Sequence, residues 1–320
     1  MLIPRLVAGF LAPIAWGTRR VCAGLVCAIL TGCATVAPGP VVLAPADAGP
    51  LVQVLRPGRA VVGLALGGGA LRGFAHIGIL KVLEAAGVTA DLVVGTSVGA
   101  VVGALHAAGL PADAVEKATD ELDWSVFGHL VVPRLGLVGG ERIEEFINRH
   151  VGYRPIEALA MPFAAVATDA QNGLLAVFNR GNTGMAVRAS ASVPVVFQPV
   201  RIGSREYIDG TLVSPVPIAT ARAMGADVVI AVNVTYRPTE SRLRTPLDML
   251  FQTVQIMAHT INTKNLREAD VLIDAIPPGS AVSLANRAAV IRAGEDAARA
   301  ALPQIRAVLS AASARRDAER

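Results

Sequence analysis

At 320 residues the chain can hold one large domain or two ordinary ones, and its 53% hydrophobic against 17% charged residues exclude wholesale disorder. An aromatic content of 4% argues against stacking platforms for single-stranded nucleic acid. The net charge of +4 is mild and unevenly placed: Arg5, Arg19 and Arg20 lie in a leading segment that has no Asp or Glu, and without them the 29 basic and 25 acidic residues nearly balance, which removes the electrostatic case for a nucleic-acid partner.

Arg19-Arg20 precedes an apolar run over residues 21–30, followed by Leu30-Thr31-Gly32-Cys33. A basic flank, a short apolar core and small residues describe a secretory signal. The core is too short for a membrane span, which needs about 20 apolar residues. The four residues ending at Cys33 resemble the lipobox of bacterial lipoprotein precursors, in which the cysteine is acylated. Residues 1–32 are therefore expected to be a lipoprotein signal peptide, with Cys33 the lipidation site. That places the chain at the cell envelope, lipid-anchored, on the periplasmic face of the outer membrane. Cys22 and Cys27 would leave with the signal, so the mature chain has no possible internal disulfide. Residues 33–59 are rich in Pro and Ala and read as a tether, because Pro38, Pro40, Pro45, Pro50 and Pro57 interrupt helix and sheet alike.

Residues 60–66 (AVVGLAL) predict a strand covered on both faces. The strand runs into Gly67-Gly68-Gly69-Ala70-Leu71-Arg72-Gly73, and Phe74, Ile77, Leu80, Val82 and Leu83 then give a helical pattern. A glycine-rich turn between strand and helix presents backbone N–H groups to an anion. Gly73 is followed by Phe74, where a P-loop requires lysine, and Arg72 stands where a dinucleotide fingerprint requires glycine. Both nucleotide readings fail, which leaves an oxyanion hole.

Asp91 opens a second strand that ends in Gly95-Thr96-Ser97-Val98-Gly99 before another helical stretch. This is a G-x-S-x-G elbow, a turn tight enough to demand glycine on both sides of the serine and to lift its hydroxyl above the sheet. Both loops would fall at the carboxyl edge of a parallel sheet, where ligands bind.

Farther along, residues 113–123 and 141–150 predict helices, with an apolar stretch at 124–138 that suits either a lipid-facing lip or a buried connector. Residues 163–168, 228–233 and 271–276 read as strands, alternating with helices such as 217–224, and this alternation implies an α/β fold with a largely parallel sheet. Residues 246–265 carry a helical apolar face, and the chain from 288 is helical with a break near Pro303. No histidine has a Cys or carboxylate at metal-ligand spacing, so neither a metal nor a cofactor is expected.

Gly67-Gly68-Gly69 with Arg72-Gly73, the Ser97 elbow, Ala189-Ser190-Ala191-Ser192-Val193-Pro194 and Asp209-Gly210-Thr211 together resemble the patatin-like phospholipase family of serine acyl hydrolases. The likeness runs from about Val61 to Pro217. It implies a three-layer α/β/α fold over residues 60–287, with 288–320 a C-terminal helical tail. It also implies a Ser97–Asp209 dyad that releases fatty acid from membrane lipid esters through an acyl-enzyme. The backbone amides of Gly67, Gly68, Gly69 and Val98 would form the oxyanion hole, and Arg72 would contact a lipid phosphate or steady the loop. Two positions depart from the family pattern: Ala70 replaces a glycine, and Thr211 replaces a smaller residue. Ser97, Asp209 and His259 also occur in the order of an α/β-hydrolase triad, although His259 falls inside the predicted helix 246–265. A soluble-ester or thioester hydrolase and a non-catalytic binding lipoprotein are the competing functions.

Overall fold

The computed structural model describes residues 51–56, 58–121, 136–235, 245–275 and 284–318. The expected signal segment, Cys33, most of the tether, residues 124–135 of the apolar stretch and the chain after Ala275 up to 283 lie outside the described residues.

In chain order, β1 (Val62–Leu66) leads through the glycine loop and a 3-10 turn (Ala70–Gly73) into α1 (Phe74–Ala85). Then follow β2 (Leu92–Thr96), α2 (Val98–Ala107), α3 (Ala112–Glu121), β3 (Gly136–Val138) and α4 (Glu141–His150). The middle of the chain forms β4 (Phe163–Asp169), β5 (Leu175–Phe178), α5 (Thr183–Ser190), β6 (Val195–Phe197), β7 (Val200–Ile202) and β8 (Arg205–Asp209). Last come α6 (Ile218–Ala223), β9 (Val228–Asn233), α7 (Pro246–Asn265), β10 (Val271–Asp274) and α8 (Arg287–Ala318).

The central sheet runs β10-β9-β1-β2-β4-β8-β7, with β5 also paired to β4. Pairing is parallel from β10 through β4 and antiparallel for β5, β7 and β8, so the sheet is largely parallel, as expected. Every residue of β1, β2, β4 and β9 is buried, because helices cover both faces of these strands. One face packs on α1, α2, α4, α5 and α8 around Leu64, Leu66, Phe74, Ile77 and Phe163. The other packs on α6 through Val61, Ala65, Val94, Val166, Ile218 and Met224.

The short antiparallel strands are invisible in the sequence pattern, yet one of them places the site. On β4, residues 165–168 pair with β5 along one edge. The other edge pairs with β2 over residues 163–166, then with β8 over 167–169. Thus β8 takes over where β2 ends, so the last residue of β8 arrives beside the turn that follows β2.

The end of the expected tether is packed on the domain. Leu51 and Val54 lie against the second core, and the Val54 amide donates to Met224 O at 2.9 Å. Arg56 and Arg59 both donate to buried Asp91, whose Oδ2 also accepts the Val62 amide. At the other end of the chain, the break expected near Pro303 does not occur: α8 runs unbroken through it. Pro303 faces solvent, so the carbonyl it frees one turn earlier stays hydrated, while packing on α1 and β10 holds the helix on both sides.

Helices α1 and α8 meet backbone to backbone. A Cβ at Gly78 would lie 2.0 Å from Ile291 O, and one at Gly294 would lie 2.1 Å from Ala75 O. Alanine normally gains about 1 kcal/mol over glycine within a helix. Here overpacking of the crossing, worth about 1–3 kcal/mol, opposes that gain and forces the helices apart. Gly78→Ala and Gly294→Ala should each lower stability by up to about 2 kcal/mol, read as a drop in the urea midpoint.

Candidate active site

Ser97 follows β2 with φ 55° and ψ −122°, a conformation side chains rarely adopt. Close backbone packing imposes it. A Cβ at Gly95 would lie 2.4 Å from Ala100 Cα, and one at Gly99 would lie 2.2 Å from Leu66 O. The two glycines flanking the serine are therefore steric requirements of the turn, and α2 starts directly behind the hydroxyl.

The Ser97 hydroxyl donates to Asp209 Oδ2 at 2.6 Å, across 112 residues of chain. Both side chains are buried, at 7% and 3% exposure. Burial pushes the Asp209 carboxyl above its usual value, and hydrogen bonds from Ser97 and from the hydroxyl and amide of Thr211 partly offset this. Thr211, the departure from the family pattern, thus supplies two neutral donors to the carboxylate. The Asp209 main chain is fixed as well, its N–H donating to Ser192 O and its carbonyl accepting from Thr168 Oγ1.

The sequence motif around Ser190 was legible, but the role of that residue was not. Its Oγ accepts the Ser97 amide at 2.9 Å and donates to Val166 O at 2.5 Å. This fully buried hydroxyl therefore ties the strained elbow to β4. Next to it, the Thr96 hydroxyl donates to Ser214 O at 2.8 Å.

The glycine loop corrects part of the oxyanion-hole expectation. The Gly67 amide donates to Val232 O at 3.0 Å and the Gly68 amide to Pro215 O at 2.9 Å. The β1–β9 ladder continues one residue past Leu66, so the loop turns free only after Gly68. Among the described residues, the amides of Gly69 and Val98 make no hydrogen bond, and both residues line the cavity that holds Ser97. Gly68 remains essential as a spacer, because a Cβ there would lie 2.4 Å from Thr211 Oγ1. Ala70 adopts φ 50°, holding the shape that a glycine would take at less cost.

His76 supports the loop from beneath. Fully buried, it hydrogen-bonds Gly67 O through Nε2 at 2.8 Å, and burial pushes its pKa down to about 4. The ring is therefore neutral near pH 7 with its proton on Nε2, since a carbonyl can only accept. His259 lies exposed on α7 and does not line the cavity, so the triad arrangement is not assembled. Arg72 stands partly exposed at the cavity wall.

The cavity measures about 270 Å³. Its polar end is the Ser97–Asp209 pair with the glycine loop, and the rest is largely apolar, with Val101, Ile143, Phe197, Phe251 and Val254 outnumbering Arg72, Thr235 and Gln255. The apolar stretch before β3 lies largely outside the described residues, and the described wall comes from α2, α4, α7, β6 and the loop before it. The periodic apolar face of α7 was the signal that could have found it. Among the described residues no three metal-ligating side chains gather.

Comparison with known proteins gives the chain a family. The Patatin-like phospholipase family model matches residues 64–222. An uncharacterised NTE family protein of Mycobacterium tuberculosis is 37% identical over 176 residues, covering 54% of this chain and 49% of that protein. A second one from the same organism is 30% identical over 271 residues, covering 75% of this chain and 46% of that protein. Mouse patatin-like phospholipase domain-containing protein 6 is 34% identical over 181 residues, covering 54% of this chain and 13% of its own length. The chain thus spans at most about half the length of these curated relatives. Among solved structures, VipD from Legionella pneumophila aligns over 83% of this chain and 71% of its own, at 12% identity and a TM-score of 0.46. The type III effector ExoU aligns over 78% of this chain and 53% of its own, at 14% identity and a TM-score of 0.44. With the family's match running from β1 through α6, across the glycine loop, the serine elbow and Asp209, this chain belongs to the patatin-like phospholipase family.

Proposed function

We propose that the chain is a serine lipid acyl hydrolase of the phospholipase A or lysophospholipase type, cleaving fatty-acyl esters of membrane lipids. The observation that carries this reading is the 2.6 Å Ser97–Asp209 hydrogen bond at the polar end of an apolar cavity. A nucleophile needs a base within hydrogen-bond reach, and the base must be basic enough to act near neutrality. Burial of Asp209 without a cationic partner moves its pKa in the required direction.

In the proposed reaction Ser97 Oγ bonds to the ester carbonyl carbon while its proton passes to Asp209 Oδ2. The carbonyl oxygen becomes an oxyanion, held by the amides of Gly69 and Val98 at the positive end of α2. The intermediate collapses by breaking the bond to the alcohol oxygen, which leaves with the proton from Asp209. A water molecule then gives a proton to Asp209 and its hydroxide oxygen to the acyl carbon; the bond to Ser97 Oγ breaks, Asp209 returns the proton to Oγ, and fatty acid is released. The apolar wall receives the acyl chain, which favours lipid over short soluble esters. Acylation of Cys33 at the envelope would keep the enzyme beside such substrates.

Ser97→Ala and Asp209→Asn should each cut hydrolysis of phospholipid and nitrophenyl esters by about four orders of magnitude. A fluorophosphonate probe should label the wild type and not Ser97→Ala; near-wild-type turnover by folded Asp209→Asn would overturn the dyad. The acid limb of the kcat/KM–pH profile should lie above the ordinary carboxylate pKa, because the raised Asp209 must ionise before it can accept a proton.

Two stability measurements test the cost of the site. Asp209 has a folded pKa above its unfolded value, so its ionisation costs stability as pH rises through the folded pKa. Asp209→Asn should therefore unfold at higher urea than the wild type near pH 7, with the gap closing as pH falls. Ser97→Gly should relieve the positive-φ strain and raise stability by about 1 kcal/mol while abolishing turnover.

A further inference from the structure

Two elements that wall the cavity also present apolar side chains to solvent. On α7, Phe251, Val254 and Ala258 line the cavity, whereas Met249, Ile256 and Met257 are 53%, 48% and 44% exposed. At the start of β6 and in the loop before it, Val193, Pro194 and Val196 line the cavity, and Val195 between them is 46% exposed. Val195 has φ 70°, an uncommon conformation for a β-branched residue that turns its side chain away from its neighbours. Helix α7 therefore carries apolar side chains on its outer face as well as on the face that walls the cavity.

The charge pattern of α7 fits one kind of partner. From Met249 to Thr263 the helix has no Asp, Glu, Lys or Arg. Its one acidic residue, Asp248, is engaged in the capping box with Thr245. Immediately after the uncharged stretch come Lys264 and, one turn on, Arg267, both exposed. The outer face mixes Met249, Ile256 and Met257 with His259 and with Thr253, Thr260 and Thr263, whose hydroxyls are spent on helix carbonyls. Lys264 and Arg267 outnumber the exposed Glu268 at its end, and such a face complements a lipid surface with anionic headgroups beside the basic end. No helix among the described residues is long and apolar enough to cross a membrane, so α7 would lie along the interface.

We infer that the outer face of α7, through Met249, Ile256 and Met257, together with Val195, docks on a lipid bilayer and so holds the α7 wall of the cavity against the membrane. This rests on the reading of the cavity as an acyl site and adds the surface that delivers the lipid.

The test uses the full-length chain carrying Ser97→Ala, with its three cysteines replaced by serine and a single Ile256→Cys bearing an environment-sensitive nitrobenzoxadiazole label. Vesicles of phosphatidylcholine and phosphatidylglycerol should shift the emission of this label to the blue, and a matched label at Arg306→Cys on α8 should not move. In the otherwise wild-type chain, Ile256→Glu with Met257→Glu should lower hydrolysis of vesicle lipid by about tenfold and leave hydrolysis of a soluble short-chain nitrophenyl ester within about twofold. Both positions face solvent, so a matching thermal melt will show that the variant is folded. An unshifted label at 256 in the presence of vesicles overturns the docking surface, whatever the enzymatic activity. A shift that appears only as protein concentration rises, without vesicles, assigns the face to a second copy and overturns it too. A vesicle-dependent shift without any ester turnover by the wild type would leave the docking face standing and remove the hydrolase reading instead.

Discussion

A carboxylate held against a serine hydroxyl, away from water and with only neutral donors beside it, is the constraint from which the site follows. Asp209 receives hydrogen bonds from Ser97 and Thr211, and burial dominates the shift in its pKa. Such a group costs the fold stability when ionised, because partial hydration by neutral donors replaces full hydration by water. The surrounding structure offsets this by fixing the main chain of the aspartate at both ends, to Ser192 and to Thr168. The pairing of β8 with β4 supplies the coarse position, and these bonds supply the fine one.

Steric exclusion does the rest. Gly95, Gly99 and Gly68 each sit where a single carbon would collide with a neighbouring group. Ser97 itself keeps an unfavourable φ because the chain on both sides of it is locked, in part by the Ser190 hydroxyl that satisfies its amide. Strain persists only where surrounding contacts over-determine it. This site has such contacts on every side, with neutral His76 holding the Gly67 carbonyl from beneath.

What was legible in the sequence were the features with a strong local signature. The apolar runs of β1, β2, β4 and β9, the Gly-x-Ser-x-Gly turn and the helix at 246–265 all announce themselves through period or glycine placement. The strands β5 to β8 do not, because they are three to five residues long and only partly buried, which leaves too little alternation to read. The roles of Gly67 and Gly68 were misread for a related reason. A glycine-rich run shows that backbone approaches something closely, but not which of its amides are already spent on the neighbouring strand. Ser190 was visible as a motif letter, and only the fold turns it into the partner of the Ser97 amide. Pro303 failed as a helix breaker because tertiary packing on α1 and β10 outweighs one lost hydrogen bond at a hydrated face.

The same residue type serves opposite ends of the sheet, and the difference lies in what stands next to it. At the amino edge, Asp91, Asp227 and Asp270 each accept the backbone amide of a residue at a strand start, from Val62, Val61 and Val229 in turn. Asp91 is paired with Arg56 and Arg59, which hold its carboxyl below the usual value, and Asp270 with Arg222; all three aspartates cap the sheet. At the carboxyl edge, Asp169 closes β4 in the same manner, paired with Arg205. Asp209 closes β8 with a serine in the place of an arginine. An arginine there would hold the carboxylate in its charged form and drain it of basicity; a hydroxyl gives it a proton to take. Under the proposed reaction, the distinction between a structural aspartate and a base in this fold is therefore the identity of one neighbour, and the sharp turn after β2 makes that neighbour Ser97.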